Sequence, residues 1–336
     1  MRTLLLISLF AGFVLAQEKQ RLVGEIEFFG YTGIDIKKLK DALPLREGDK
    51  FKVEKKGELT RIKQKTEEAI QKTLGHSATE FSPVCCDKQG NWMFYIGLSG
   101  KIPRYHPQPK GDVRLPQQCL DLYKRFETEL KDAILRGVAQ EDQSQGYALS
   151  MDASLRKTQL EMREYALKHE ALLCDVLVNA SDHQHRIVAA EILGYAQQSK
   201  PQITSLVHAA KDADGTVRNN ATRALWILVD SNPKLAMDIP EEFFIDLLLS
   251  GKWTDVNKAC LLLCSLTEGK DKSATILARL GSIEARERLI EIARWKTFHA
   301  DCARYLLGRM AGIDEDRLKL LVTSGQTEEI VKDLIP

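Results

Sequence analysis

Residues 186–194 (RIVAAEILG) and 218–227 (RNNATRALWI) carry one helical phrase twice, and this repetition limits the fold more than any other feature of the chain. Asp182 pairs with Asp214, Arg186 with Arg218, Ala189 with Ala221 and Leu193 with Leu225, always at a separation of 32 residues. Self-similarity at such a spacing marks units that cannot bury their apolar faces alone and must stack on their neighbours. A looser third copy, Val256-Asn257-Lys258-Ala259-Cys260 with Leu263, follows 39 residues beyond Val217, with Trp253 in the place of the Asp. A fourth, Ala300 to Leu307, is looser still. Small Ala residues let paired helices approach, Leu and Val fill the shared core, and an Arg beside an Asp can tie one repeat to the next.

From about Met151 to the end the pattern is almost wholly helical. The preceding region is different. Leu22, Gly24, Ile26 and Phe28 alternate with Glu25 and Glu27, which predicts a half-buried strand ending at Gly30. Asp35 caps a short helix with Ile36, Leu39 and Leu43 at helical spacing, and Pro44 stops it. A second helix places Leu59, Ile62, Thr66, Ala69, Ile70 and Leu74 on one stripe and ends at Gly75. Two strands follow, Ala78 to Cys86 and Asn91 to Leu98, joined by the turn Asp87-Lys88-Gln89-Gly90, with Trp92, Phe94, Ile96 and Leu98 sharing a face.

Between these regions, 101–117 holds Pro103, Pro107, Pro109 and Pro116 and predicts an extended linker. A connecting helix from about Pro116 to Val138 buries Cys119, Tyr123, Phe126, Leu130 and Ile134, and a polar break, Ala139 to Gly146, closes the 118–150 segment. At the other end, Arg2 precedes the apolar run Leu4 to Leu15, and Val14-Leu15-Ala16 offers small residues for cleavage. This predicts a signal peptide over 1–16, removed near Ala16, and a periplasmic or secreted product. The run is too short to span a bilayer of about 30 Å as a helix, so no integral membrane segment is expected after cleavage, while association with an envelope is left open.

A chain of 336 residues with 44% hydrophobic content has ample material for real cores. Its formal charge of +1 gives no electrostatic reason to expect nucleic acid. Seven cysteines do not form the spacing of a disulfide scaffold. Pairing among Cys85, Cys86, Cys119 and Cys174 stays open: adjacent Cys85 and Cys86 can hardly join without strain, and either could reach Cys119. Cys260 and Cys264 lie one helical turn apart and read as small core residues.

Two resemblances give these segments a family context. The order strand, helix, helix, hairpin over 20–100, with Phe28-Phe29-Gly30 and Leu45-Arg46-Glu47-Gly48-Asp49-Lys50-Phe51, resembles a POTRA domain. That resemblance implies an exported protein-interaction module that engages partners through a sheet edge. Asp214-Gly215-Thr216-Val217-Arg218-Asn219-Asn220-Ala221-Thr222-Arg223-Ala224-Leu225 is similar to a HEAT-like repeat, implying an α-solenoid over 151–336. The expected fold is therefore an α+β domain (β-α-α-β-β) followed by an all-α solenoid.

Chemistry is sparse in this sequence. Asp182, Arg186, Asp214 and Arg218 are expected to serve structure. His183 and His185, or His299, Asp301 and Cys302, could be imagined around a metal, but their spacing lacks ligand geometry. No nucleophile elbow or phosphate loop is present, and no cofactor is implied. The charge-rich stretch Glu284 to Arg288 reads as a solvated helix face. Trp253, with His299 and Asp301, offers an interaction surface. The favoured reading is a non-catalytic scaffold for protein partners; the alternative is an enzyme or enzyme subunit with a site between repeats, metal-dependent and centred on His299 and Asp301.

Overall fold

The computed structural model describes residues 21–52, 57–138, 140–268 and 270–334. The expected signal segment, 1–16, lies outside them. A small mixed sheet at the N-terminal end leads into an array of stacked helices.

The sheet has the order β2-β1-β4-β3, built from β1 (Arg21–Phe29), β2 (Lys50–Phe51), β3 (Glu80–Cys85) and β4 (Trp92–Gly97). β1 runs parallel to β4 and antiparallel to β2, while β3 and β4 form an antiparallel pair. Helices α1 (Ile36–Ala42) and α2 (Glu58–Leu74) cross over between β1 and the hairpin. The Asp35 carboxylate accepts the Lys38 N–H at the start of α1, and Gly75 ends α2 in the left-handed conformation. Both follow from the local chemistry of caps.

Alternation along β4 sends Phe94 and Ile96 into a core with Ile26, Phe28, Leu39 and Ile70, under the two helices. Met93 and Tyr95 point the opposite way, into the core of the helical array, together with Phe29. The half-buried strand expected at β1 is therefore corrected. Glu27, placed by alternation on an outer face, is only 7% exposed because the array covers that face.

The rest is helical. α3 (Gln117–Arg136) precedes a short hairpin of β5 (Glu141–Asp142) and β6 (Leu149–Ser150), and then α4 (Ala153–Asn179) and α5 (His183–Leu193) open the array. α6 (Lys200–Ala209), α7 (Gly215–Ser231), α8 (Glu242–Leu248), α9 (Trp253–Leu266), α10 (Lys270–Leu280), α11 (Ile283–Ala293), α12 (Asp301–Met310), α13 (Glu315–Thr323) and α14 (Thr327–Val331) follow. The phrase-bearing helices α5, α7, α9 and α12 pack in succession as one layer, each backed by another helix. This is the solenoid-like pattern expected of nearest-neighbour packing. No helix among the described residues is long and apolar enough to cross a membrane.

Candidate interaction site

The repeat phrase resolves into two separate jobs. Asp182 and Asp214 are helix caps, accepting the Gln184 N–H and the Thr216 and Val217 N–H groups respectively. The arginines reach elsewhere. Arg186, 1% exposed, grips Asp212 with Nε at 2.7 Å and Nη2 at 3.0 Å, and its Nη1 donates to the carbonyls of Ala180 and Ser181. Arg218 repeats the arrangement on Asp255, at 3.0 and 2.9 Å, with Nη1 on the Asp212 and Ala213 carbonyls. Two-pronged pairing of a planar guanidinium with a carboxylate fixes direction as well as distance. Asp212 and Asp255 carry no repeat signal in the sequence, since they do not share a spacing with the arginines; only the need to neutralise a buried Arg points to them.

The sheet is seated on the array through an aromatic joint. Tyr95 stacks on Trp253 with centroids 3.6 Å apart and planes 11° from parallel, while Trp295 and His299 meet it at an angle. The Tyr95 hydroxyl is hydrogen-bonded to Nδ1 of His299 at 2.6 Å and to Thr297 Oγ1 at 2.9 Å. Trp295 donates from Nε1 to the Phe28 carbonyl at 2.8 Å, and the Glu291 carboxylate accepts the Gly30 and Tyr31 N–H groups at 2.6 and 2.7 Å. Gly30 is required here: it has φ +69° and a Cβ would collide with the Ser99 carbonyl. Arg288 donates to the carbonyls of Leu248, Ser250 and Ser99 and pairs with Glu291, so the solvated face expected over Glu284 to Arg288 is interrupted by a buried clamp.

Burial dominates the electrostatics of this joint. It pushes the His299 pKa down to about 3, with the nearby Lys258 charge adding to the effect. Glu27, which accepts the Lys296 N–H at 2.6 Å, is raised by burial to about 7. The surface expected at Trp253 and His299 is thus corrected: Trp253 is 5% exposed and both are committed to holding the sheet. Asp301 is half-buried and bound to Arg304 at 2.9 Å. The structure does not bring it together with His299 as a ligand set, and no group of three His, Cys, Asp or Glu fit for a metal occurs among the described residues. His185 likewise holds backbone, its Nδ1 accepting the Leu115 N–H at 2.9 Å. The sulfurs of Cys85 and Cys86 are joined to each other, while Cys119, buried in the helical core, and Cys174 are free.

Residues 101–116 are extended, as four prolines dictate, yet they do not hang free. The Lys101 N–H donates to Leu249, the His106 N–H to Lys211 and the Gly111 N–H to Asn179, so the strap meets a turn between helices every five residues. Gly111 permits this approach, because a Cβ would strike the Asn179 carbonyl. The Tyr105 ring covers the Arg218 guanidinium at 4.0 Å and His106 lies against His208 at 4.3 Å. Where the strap leaves the sheet, Thr79 and Glu80 at the start of β3, Lys101 and Ile102, and the turns leading into α7 and α9 enclose a cleft of about 810 Å³. Ile102 stands on its rim, 89% exposed.

No protein-family model and no curated protein matches the chain. Among solved structures it is similar to an engineered protein from a structural genomics consortium, at 16% identity over 65% of this chain and 89% of that one, with a TM-score of 0.40. It is also similar to a designed armadillo repeat protein in complex with a (KR)4 peptide, at 17% identity over 66% and 91% of the two chains, with a TM-score of 0.38. At these TM-scores neither likeness carries an argument about function.

Proposed function

We propose that this chain is an exported, non-catalytic scaffold that takes an extended segment of a partner protein in the cleft between β3, the strap and the turns leading into α7 and α9. The observation that carries the reading is the cleft itself, bordered on one side by the start of an edge strand and on another by the exposed Ile102. An edge strand offers main-chain groups to an added strand, and a large apolar side chain beside it supplies contact area. The strand, helix, helix, hairpin order supports a POTRA-like assignment for the sheet domain, and the helical array supplies the rigid wall against which a partner segment would lie. The enzymatic alternative loses its footing, since His299 is spent on Tyr95 and Asp301 on Arg304.

A photo-crosslinking side chain at position 102, in the cell of origin, tests this. A discrete protein adduct is expected, and it should fade when Ser82→Pro is added to interrupt the edge strand. Adducts no different from those obtained at Leu320, exposed on α13, would defeat the reading. Export has its own test. Fractionation with N-terminal sequencing should find a mature chain beginning near Gln17, and an uncleaved chain would remove export from the proposal.

A further inference from the structure

The bond between the Cys85 and Cys86 sulfurs links neighbours in the sequence. A disulfide stabilises a fold chiefly by closing a loop in the unfolded chain, and its effect grows with the length of that loop. Between adjacent residues there is almost no loop to close. The local backbone does not need the bond either: Cys85 is already held in β3 opposite Trp92, and the Asp87 N–H closes the following turn on the Asn91 carbonyl. What the bond adds is chemistry rather than stability.

Its surroundings are open. Both cysteines are half-buried and line a cavity of about 490 Å³ at the end of β3, whereas the cleft described above takes the start of that strand. Phe298, 50% exposed, stands in the same wall with Ile134 and offers an apolar surface beside the sulfurs. Arg21 and Lys88 also line the cavity, and neither makes an ion pair among the described residues. The Arg21 Nε–H is buried without a hydrogen-bond partner. Asp87, the acidic member of the wall, spends both carboxylate oxygens on the Gln89 and Asn91 N–H groups and on the Asn91 side chain. Cations beside a pair of sulfurs favour thiolate over thiol. The other five cysteines are free and more withdrawn: Cys119, Cys260 and Cys264 are buried, and burial pushes the Cys119 thiol up to about 11.

We propose that Cys85 and Cys86 form a two-electron redox site that exchanges its disulfide with a dithiol partner. One thiolate of the partner attacks one sulfur, the Cys85–Cys86 bond breaks, and its electron pair leaves on the other sulfur, which takes up a proton. The partner's second thiolate then attacks the mixed disulfide and releases the first sulfur, which is protonated in turn. The partner gives up two electrons and two protons in forming its own disulfide, and this chain gains both. Arg21 and Lys88 stabilise the departing thiolate. The site lies at the far end of β3 from the cleft and does not rest on the scaffold reading.

Alkylation of free thiols followed by peptide mass spectrometry tests the site on the full folded chain, with dithiothreitol as the dithiol probe. After equilibration with glutathione disulfide, the peptide holding Cys85 and Cys86 should carry no alkyl group. Dithiothreitol should then bring it to the doubly alkylated form with circular dichroism and the denaturation midpoint unchanged. Arg21→Gln combined with Lys88→Gln, confirmed as folded by circular dichroism, should slow that reduction about 3- to 10-fold, because the departing thiolate loses its cations. Thioredoxin, a dithiol protein, compared with dithiothreitol at equal concentration distinguishes a protein-borne dithiol from a small one, and faster reduction by either satisfies the site. Two alkyl groups before any dithiol is added would overturn the assignment, as would a disulfide that opens only when the chain unfolds. A midpoint that falls on reduction would return the bond to a structural role. An unchanged rate in the folded charge variant would leave an exposed bond and no site.

Discussion

The first two junctions of the helical array and the third are built from different chemistry. At the first two, an Arg from the repeat phrase closes on a buried Asp, Arg186 on Asp212 and Arg218 on Asp255. At the third copy Asn257 stands where the Arg would be and Trp253 where the capping Asp would be, so the helix-to-helix clamp is gone. The sheet domain fills that position, with Tyr95 laid flat on Trp253 and Arg288 of α11 binding the carbonyls of Leu248 and Ser250. The drift of the repeat is therefore structured: sequence regularity ends where the neighbour changes from another repeat to a sheet.

The comparison breaks most readily at the regular end. Arg186→Met leaves Asp212 buried at the junction without its counter-charge, and removing one partner of such a pair costs about 3–5 kcal/mol. Chemical denaturation should show that loss, and adding Asp212→Asn should restore part of it, because the amide needs no counter-charge while its oxygen can still accept the Asp214 N–H. A loss below about 1 kcal/mol, the scale of an exposed pair, would mean that the repeats are held by their apolar layer and that the clamp is incidental.

The regular junctions were legible because repetition is visible at the level of letters. Asp182, Asp214, Arg186 and Arg218 announce a structural repeat through their spacing, and the order of strands and helices in the small domain follows from periodicity and the breakers Gly30, Pro44 and Gly75. The joint was not legible in the same way. Strand β1 alternates apolar with Glu25 and Glu27, which reads as one wet face; Glu27 is buried because distant residues around Lys296 return to cover it. One signal did exist: Trp92 to Ile96 is apolar without a break, the mark of a strand covered on both sides.

The joint itself contains two buried groups displaced in opposite directions, and acid separates them. His299, held down at about 3, stays neutral when folded while the unfolded chain takes up its proton below about 6.5; its contribution is present above the unfolded pKa and is lost as pH falls toward 3. Glu27, raised from 4.5 to about 7, does the reverse: its contribution is present below the unfolded pKa and is lost as pH rises through 7. From pH 7 to 5 each changes stability by about 2 kcal/mol, with opposite signs, so the two nearly cancel. Relative to wild type, His299→Gln should gain about 2 kcal/mol over that interval on acidification and Glu27→Gln should lose about 2. Denaturation curves at the two pH values read this directly. Parallel behaviour of wild type and both variants would show that the joint is wetter than its packing indicates.

The smallest effect sharpens the comparison at the level of a single cap. Asp214 accepts the Thr216 and Val217 N–H groups at 2.8 and 3.0 Å, satisfying donors that a helix start leaves unpaired. The spacing sets Trp253 opposite Asp214, but the cap position of α9 falls one residue earlier, on Lys252, whose side chain caps nothing and reaches instead to Glu80 and the Thr79 carbonyl of the sheet domain. Asp214→Ala should therefore cost about 1 kcal/mol, the usual value of a lost cap. Lys252→Ala should cost less than that, because an exposed ion pair contributes at most about 1 kcal/mol and commonly far less. Hydrogen exchange adds the spatial reading: the Asp214 variant should speed exchange at Thr216 and Val217, whereas the Lys252 variant should act at the start of β3. Equal exchange at the two helix starts would mean that α7 does not need its Asp, and that the irregular third junction lost nothing when the repeat phrase decayed there.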